Sequence, residues 1–342
     1  MKAMVLEKIG SLKEDTPALR AVELPDPAPA EKEILVKVTA CGVCHTDMDE
    51  IEGRTPPPEL PVIPGHQVVG TVERNGRGAG RFRTGDRVGI AWIHSACGKC
   101  RHCLAGEENL CDDFRATGRD ANGGYAEYTT VSEDFAYRIP EVFSDEEAAP
   151  LLCAGAVGYR SLRLCGMKDG DNIGLVGFGA SAHVVISAVK RKYPNSRVFV
   201  FSRTPAELDF ARELGAAWTG NIGASPPEKL HCAIDTTPAW KPVVSVLKDL
   251  EKGGRLVINA IRKEDTDKES LLGLDYARDL WLEKEIKSVA NVTRKDVAEF
   301  LEVAAEIPIR PEVQVFGLEE ANRVLLEIKK GRIRGAKVLK IG

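Results

Sequence analysis

Asn172-Ile173-Gly174-Leu175-Val176-Gly177-Phe178-Gly179-Ala180-Ser181-Ala182 is the stretch that decides the fold of this 342-residue chain. A short apolar run ends in Gly-x-Gly, and Ala182 stands at the third position of a G-x-G-x-x-G/A pattern. In that pattern the first glycine makes a tight turn and the second lets a pyrophosphate approach the backbone. The small third residue lets helix and strand pack closely. A glycine turn alone is often only a turn. Here the turn lies between a buried strand and a helix predicted over residues 182–191. A second strand, Arg197-Val198-Phe199-Val200-Phe201, comes about twenty residues further on, the spacing of a dinucleotide-binding unit. The alternation then continues with a helix over 205–214 and strands over 232–235, 255–259 and 287–290. Strands alternating with helices predict a parallel, doubly wound sheet.

At the end of the second strand an NAD-binding unit usually carries Asp or Glu for the ribose 2′-OH. This chain has Ser202-Arg203-Thr204. Loss of the carboxylate and arrival of a guanidinium favour a 2′-phosphate, hence NADP(H) over NAD(H). The bland alternative makes Arg203 a solvated surface residue. The candidate cofactor-binding residues are therefore Gly177, Gly179, Ala182, Ser202 and Arg203.

Upstream of about residue 150 the texture differs. Short apolar runs such as Ile34-Leu35-Val36-Lys37-Val38 and Val68-Val69-Gly70-Thr71-Val72 are broken by Pro and Gly clusters, which reads as β-rich. Within this part Cys97, Cys100, Cys103 and Cys111 form C-x2-C-x2-C-x7-C in a polar loop. Zinc takes four soft ligands in a tetrahedron, and this spacing lets one loop wrap the ion. Four thiolates leave no open position, so the site reads as structural. Free buried cysteines are the alternative, and an iron–sulfur cluster the rival metal. Three further residues have ligand character: Cys44, His66 and Cys153. Spacing does not join them, and singly each is more often a buried cysteine or a satisfied histidine.

Bulk properties narrow the function class. Lys and Arg number 47 against 51 Asp and Glu, a net charge of −4 that argues against a nucleic-acid footprint. No apolar run approaches a membrane span, and the N-terminus has no signal-peptide core. The expected address is the cytoplasm, where nine cysteines suit metal binding better than disulfides.

Taken together, Gly42-Val43-Cys44-His45-Thr46-Asp47, Pro64-Gly65-His66, the four-Cys loop, Leu151-Leu152-Cys153-Ala154-Gly155 and the glycine turn resemble the medium-chain zinc alcohol dehydrogenases over nearly the full length. That resemblance implies an α/β protein with a GroES-like, β-rich, zinc-binding catalytic domain over residues 1–150 and 292–342. A Rossmann-type, doubly wound parallel-sheet domain is implied over 151–291. Two zincs per chain are implied, a catalytic one on Cys44, His66 and Cys153 and a structural one on Cys97, Cys100, Cys103 and Cys111. Thr46 matches the hydroxyl that bonds the reacting alcohol and passes on its proton. Asp47 matches the carboxylate that orients His66, and His45 a residue beside the cofactor phosphates; the alternative makes Thr46 and Asp47 a helix cap. The implied chemistry is reversible hydride transfer between an alcohol and NAD(P)+, giving an aldehyde or ketone, in a homo-oligomer (tetramer or dimer). Trp92 and Val292 are expected near the substrate.

The chain departs from the family pattern at three places. Gln67 replaces the Glu usual after the histidine, and Met48-Asp49-Glu50-Ile51-Glu52 lacks the histidine that completes the proton relay in many relatives. Proton release is then expected through the cofactor ribose, water or Glu52. Ala336 stands where relatives often have an Arg for the cofactor phosphate, with Arg334 or Lys337 as the replacements at hand. Two rival readings follow. One is a same-fold reductase acting on an activated C=C bond or a specialised aldehyde. The other, a non-catalytic zinc-binding module, explains the four-Cys loop but neither the open site nor the glycine turn.

Overall fold

Every residue of Asn172–Val176 is buried, and a strand without polar alternation needs cover on both faces. A six-stranded parallel sheet supplies the setting. Its spatial order is Trp218–Gly220, Arg197–Phe201, Asn172–Val176, Leu230–Asp235, Leu250–Ile258, Glu285–Ser288. The helices Ala180–Lys192 and Pro205–Glu213 bring Val185, Ile186, Val189, Leu208 and Ala211 onto one apolar cluster. Lys241–Leu247 brings Val243, Val246 and Leu247 onto another, with Val176, Phe199 and Leu256. Strand order reverses between Asn172–Val176 and Leu230–Asp235, the position at which doubly wound sheets bind ligands beyond their strand ends. The first helix starts two residues before the predicted 182, because Gly179 is its extended cap residue.

The computed structural model describes all residues except 308, 332 and 333. The chain divides into two compact units, Met1–Cys153 with Val292–Gly342, and Ala154–Asn291. The first is built on a seven-stranded sheet. Val313–Gly317, Ala336–Lys340, Glu33–Val43, Val68–Asn75, Arg87–Ile90 and Ala136–Arg138 follow one another, and Tyr128–Ser132 also pairs with Glu33–Val43. Most of these pairings are antiparallel, and the long Glu33–Val43 strand has three partners. It ends at the residue before Cys44, so the best-anchored strand of the unit delivers the chain to the open cluster. Among the described residues no helix is long and apolar enough to cross a membrane.

Candidate active site

Cys44 leaves the Glu33–Val43 strand and caps the short helix His45–Ile51. Its Sγ accepts from the Thr46 amide at 3.3 Å, while its own N–H donates to Asp47 Oδ2 at 2.8 Å. Asp47 is fully buried and accepts twice more: from the His66 Nδ1–H into Oδ1 at 3.0 Å and from the Tyr125 hydroxyl into Oδ2 at 3.1 Å. One carboxylate therefore closes the helix start and fixes the His66 ring, so the capping and orienting readings of Asp47 describe the same side chain. With Nδ1 engaged, His66 Nε2 faces Cys44 Sγ at 3.3 Å. Gly65, before the histidine, has φ +98°, and a Cβ there would stand 2.4 Å from the Tyr125 ring. Only glycine lets the loop pass there.

Cys153 joins this pair from the wider turn Leu151–Gly155, which follows a helix capped by Ser144 and Glu147. The ligand atoms of Cys44, His66 and Cys153 all lie within 4.8 Å of one another. Two thiolates and an imidazole are a zinc donor set with one position left open, so the residues fit the metal. The Cys153 thiol, donating to Cys44, holds the Cys44 thiol well below its ordinary range, while Cys153 is driven up in return. Burial disfavours the His66 cation, but Cys44 and Asp47 beside it outweigh burial and raise His66. Cation binding here displaces protons.

Thr46 is partly exposed, and its hydroxyl makes no hydrogen bond among the described residues; His45 is exposed. Gln67 is buried against Gly42, where an added Cβ would meet its amide oxygen at 2.7 Å. Glu52 does not suit proton release. Its Oε1 accepts from the Leu12 amide at 2.9 Å and from Lys329 Nζ at 2.6 Å, and Arg54 pairs with its other oxygen. Burial raises its carboxyl, but these cations prevail and hold it down at about 2, too acidic to take up a proton near neutrality. Cys41 is a buried thiol that burial pushes up, packed under Gly65 and Gly124.

Sequence reasoning missed two residues of this site. Tyr125 announces itself only as an aromatic after Gly123-Gly124, and Glu50 only by lying four residues beyond Thr46 on a short helix.

The second cysteine cluster folds as one loop. Cys100 caps the short helix Arg101–Leu104, the Cys100 amide donates to Cys97 Sγ at 3.4 Å, and the Cys103 amide to Cys100 Sγ at 3.5 Å. The four sulfurs again lie within 4.8 Å of one another. Amide donation, from Lys99 and then Cys100, lowers Cys97 to about 6, while burial raises Cys103 to about 12. A tetrahedral thiolate site with no open position fits this loop.

In the Ala154–Asn291 unit, Gly177 has φ +81° and donates its N–H to the Phe201 carbonyl at 2.8 Å. That bond places Ser202 and Arg203 beside the glycine turn. Nothing lies within 4 Å of where a Cβ at 179 would stand, and the helix that starts there has no side-chain cap. Open space before uncapped helix amides fits a pyrophosphate. Ala182 is buried under the turn. Ser202 donates to Glu207, and exposed Arg203 has no hydrogen bond or ion pair among the described residues. Asp235 and Lys263, both buried, pair at the strand ends, and Lys263 Nζ also reaches the carbonyls of Thr237 at 2.7 Å and Ala239 at 3.0 Å. Lys337 is not a spare phosphate ligand: it is buried and bonded to Glu327 at 2.6 Å and Gln314 at 2.9 Å. Arg334 is bound to Glu312 at 2.7 Å.

The model of the alcohol dehydrogenase GroES-like domain matches residues 30–141. A probable alcohol dehydrogenase of Mycobacterium tuberculosis is 42% identical over 96% of this chain and 94% of its own length. An alcohol dehydrogenase of Geobacillus stearothermophilus is 35% identical with 100% of both chains covered. Among solved structures, an NAD-dependent alcohol dehydrogenase superposes with a TM-score of 0.87 at 26% identity, covering 100% of each chain. The alcohol dehydrogenase of Aeropyrum pernix gives 0.86 at 25% identity, covering 99% of this chain and 100% of its own. With that identity sustained from end to end, this chain belongs to the zinc-dependent medium-chain alcohol dehydrogenase family.

Proposed function

We propose that this protein is a zinc-dependent oxidoreductase that interconverts an alcohol and its aldehyde or ketone with NAD(P)(H), and that it prefers NADP(H). The observation that carries the reading is the open Cys44–His66–Cys153 cluster with Asp47 behind it. When bound there, zinc supplies a Lewis acid that acidifies an alcohol, and the nicotinamide supplies the hydride acceptor. The chain's own residues do the rest. Asp47 holds His66 so that Nε2 is the ligand atom, and Cys44 and Cys153 complete the set. Thr46 Oγ1, free of other bonds, takes the hydroxyl proton of the substrate and passes it outward. Water and the cofactor ribose continue that path, since Glu52 is committed to Lys329 and Arg54. His45 lies beside the cofactor phosphates. Gly177, Gly179 and Ala182 shape the pyrophosphate turn, and Ser202 and Arg203 receive the 2′-phosphate. Cys97, Cys100, Cys103 and Cys111 hold a second, structural zinc.

Free thiolate ligands suit a reducing compartment, which supports a cytoplasmic address. Homo-oligomerisation is supported by the edge strand Glu285–Ser288, exposed along its length beside exposed Trp281 and Tyr276. An exposed edge strand leaves backbone groups that a second copy can pair.

The test is absorbance at 340 nm with a panel of alcohols and carbonyls, each with both cofactors. Zinc-dependent turnover is expected, with kcat/KM higher for the phosphorylated cofactor. Arg203→Ala should lower kcat/KM for NADP(H) by about tenfold or more, the worth of a charge-assisted bond, and change NAD(H) far less. Equal losses with both cofactors would remove the 2′-phosphate role.

A further inference from the structure

Three side chains of the unit that holds the open cluster have buried polar atoms with no hydrogen-bond partner among the described residues. They are both carboxyl oxygens of Glu50, Thr55 Oγ1 and Trp92 Nε1. Glu50 is 1% exposed and Trp92 6%. Buried polar atoms are rarely left unpaired, and a group of them implies a missing partner. Their placement says where that partner sits. Glu50 follows Thr46 by one helical turn on the same face. Helical side chains lean over the turn before them, so the Glu50 carboxyl covers the turn that carries Thr46 and Asp47. Its charge interactions agree, because after burial itself they run to Asp47, His66, Cys44 and then Arg119. Burial, with Asp47 adding to it, keeps this acid protonated well above the usual range.

The chain then folds back. The Arg54 and Thr55 amides both donate to the Asp49 carbonyl, at 2.8 and 3.1 Å, which brings residue 55 back to the end of the helix that carries Glu50. Trp92 is held rigidly: its ring lies 5.1 Å from Phe114, and the Arg119 guanidinium covers it at 5.6 Å. Arg119 is itself bound by Asp120 through two bonds, at 3.1 and 2.8 Å. Its charge is answered within the protein, so it braces the wall and does not ask for an anionic substrate.

We propose that Glu50, Thr55 and Trp92 form a subsite for a second hydroxyl of the substrate, so that the enzyme acts on vicinal diols and α-hydroxy carbonyls in preference to plain alcohols. This deepens, and rests on, the dehydrogenase reading. A carboxyl accepts, and donates when protonated; a threonine hydroxyl does both, and an indole N–H donates. A hydroxyl, donor and acceptor at once, satisfies them; an alkyl group leaves them unpaired. Sites built to bond a hydroxyl reject the analogue lacking it strongly. In the reaction one C–H of the diol leaves as hydride to the oxidised cofactor and one O–H proton leaves through Thr46. The second hydroxyl is unchanged in the hydroxy-carbonyl product.

The experiment compares propane-1,2-diol with propan-1-ol and propan-2-ol on the zinc-loaded enzyme. The expected kcat/KM ratio of diol to either alcohol exceeds about tenfold, and Glu50→Val collapses that ratio toward one. Glu50→Val should also raise the melting temperature, since it removes a buried unpaired acid; a merely structural Glu50 would lower it. Binding is read separately by tryptophan fluorescence, with Trp92→Phe as the control. Diol binding that quenches Trp92 and is lost in Glu50→Val supports the subsite even if no alcohol is oxidised, an outcome that would instead sink the dehydrogenase reading. A wild-type ratio near one, or equal fluorescence titrations with diol and propan-1-ol, overturns the proposal.

Discussion

Asp47 has three bonding partners: the Cys44 amide, His66 Nδ1 and the Tyr125 hydroxyl. A capped helix start and an oriented ligand are usually separate demands, and here one buried carboxylate meets both. The cap was legible in the sequence, because Asp47 stands three residues after Cys44, while the reach to His66 was implied by the family resemblance. Tyr125 was not legible, because a hydroxyl that arrives from a distant loop leaves no spacing to read. The arrangement predicts the behaviour of Asp47→Asn. Asparagine keeps the shape and still accepts from a donor, but it removes the charge that favours a proton on Nδ1 and steadies the ring. Zinc affinity at the open site or kcat/KM should fall about 10- to 100-fold, the usual effect of altering a partner behind a metal-bound histidine. Metal content after dialysis against a competing chelator reads this directly. An unchanged zinc count together with unchanged kcat/KM would mean that His66 is held by its loop alone.

The helices His45–Ile51 and Ala321–Lys329 are joined at Glu52, which accepts from Leu12 and Lys329 and pairs with Arg54. Sequence reading offered Glu52, beside water and the cofactor ribose, as a proton path because the stretch after Thr46 lacks the relay histidine. It could not see Lys329, which comes from the far end of the chain to claim it. Blindness to partners also misplaced Lys337, which reads as a spare cation but lies within the last strand, buried on Glu327 and Gln314. Periodicity, in contrast, located the central strands Asn172–Val176, Arg197–Phe201 and Leu230–Asp235, which are buried apolar runs, but missed Trp218–Gly220 and put the exposed edge strand Glu285–Ser288 two residues late. The Glu52 cluster has a definite pH signature. Its carboxyl falls from the ordinary 4.5 to about 2 in the folded protein, so the stabilisation is present above about pH 4.5 and is lost as pH falls toward 2. At pH 7, Glu52→Gln should cost about 2 kcal/mol once screening is allowed for. The gap between the urea midpoints of the two proteins should narrow from about pH 4.5 toward 2, as the wild type loses the Glu52 contribution. A gap that stays constant through that range would show that packing, not charge, is what Glu52 contributes.

Both metal-ligand clusters found among the described residues lie in the Met1–Cys153 and Val292–Gly342 unit, while the glycine turn and its helix lie in Ala154–Asn291. The four-cysteine loop could be read from spacing because one short segment supplies every ligand. The open cluster could be recognised only by resemblance, since strand, loop and turn each deliver one ligand from separate parts of the chain. That division of labour makes metal removal informative for the whole molecule. The open site offers three protein ligands and the loop site four, so a chelator should strip the open site first. Activity should disappear at the loss of about one zinc per chain, with the melting transition still in place; loss of the second zinc should then lower the melting temperature. Throughout the first stage NADPH should still bind, read by its fluorescence enhancement, because the pyrophosphate turn and the metal ligands belong to separate units. Acidification should release the same zincs, since thiolates and imidazole must take up protons to let the ion go. If NADPH binding falls in step with the first zinc, the cofactor site depends on the metal and the two functions are not built on separate units.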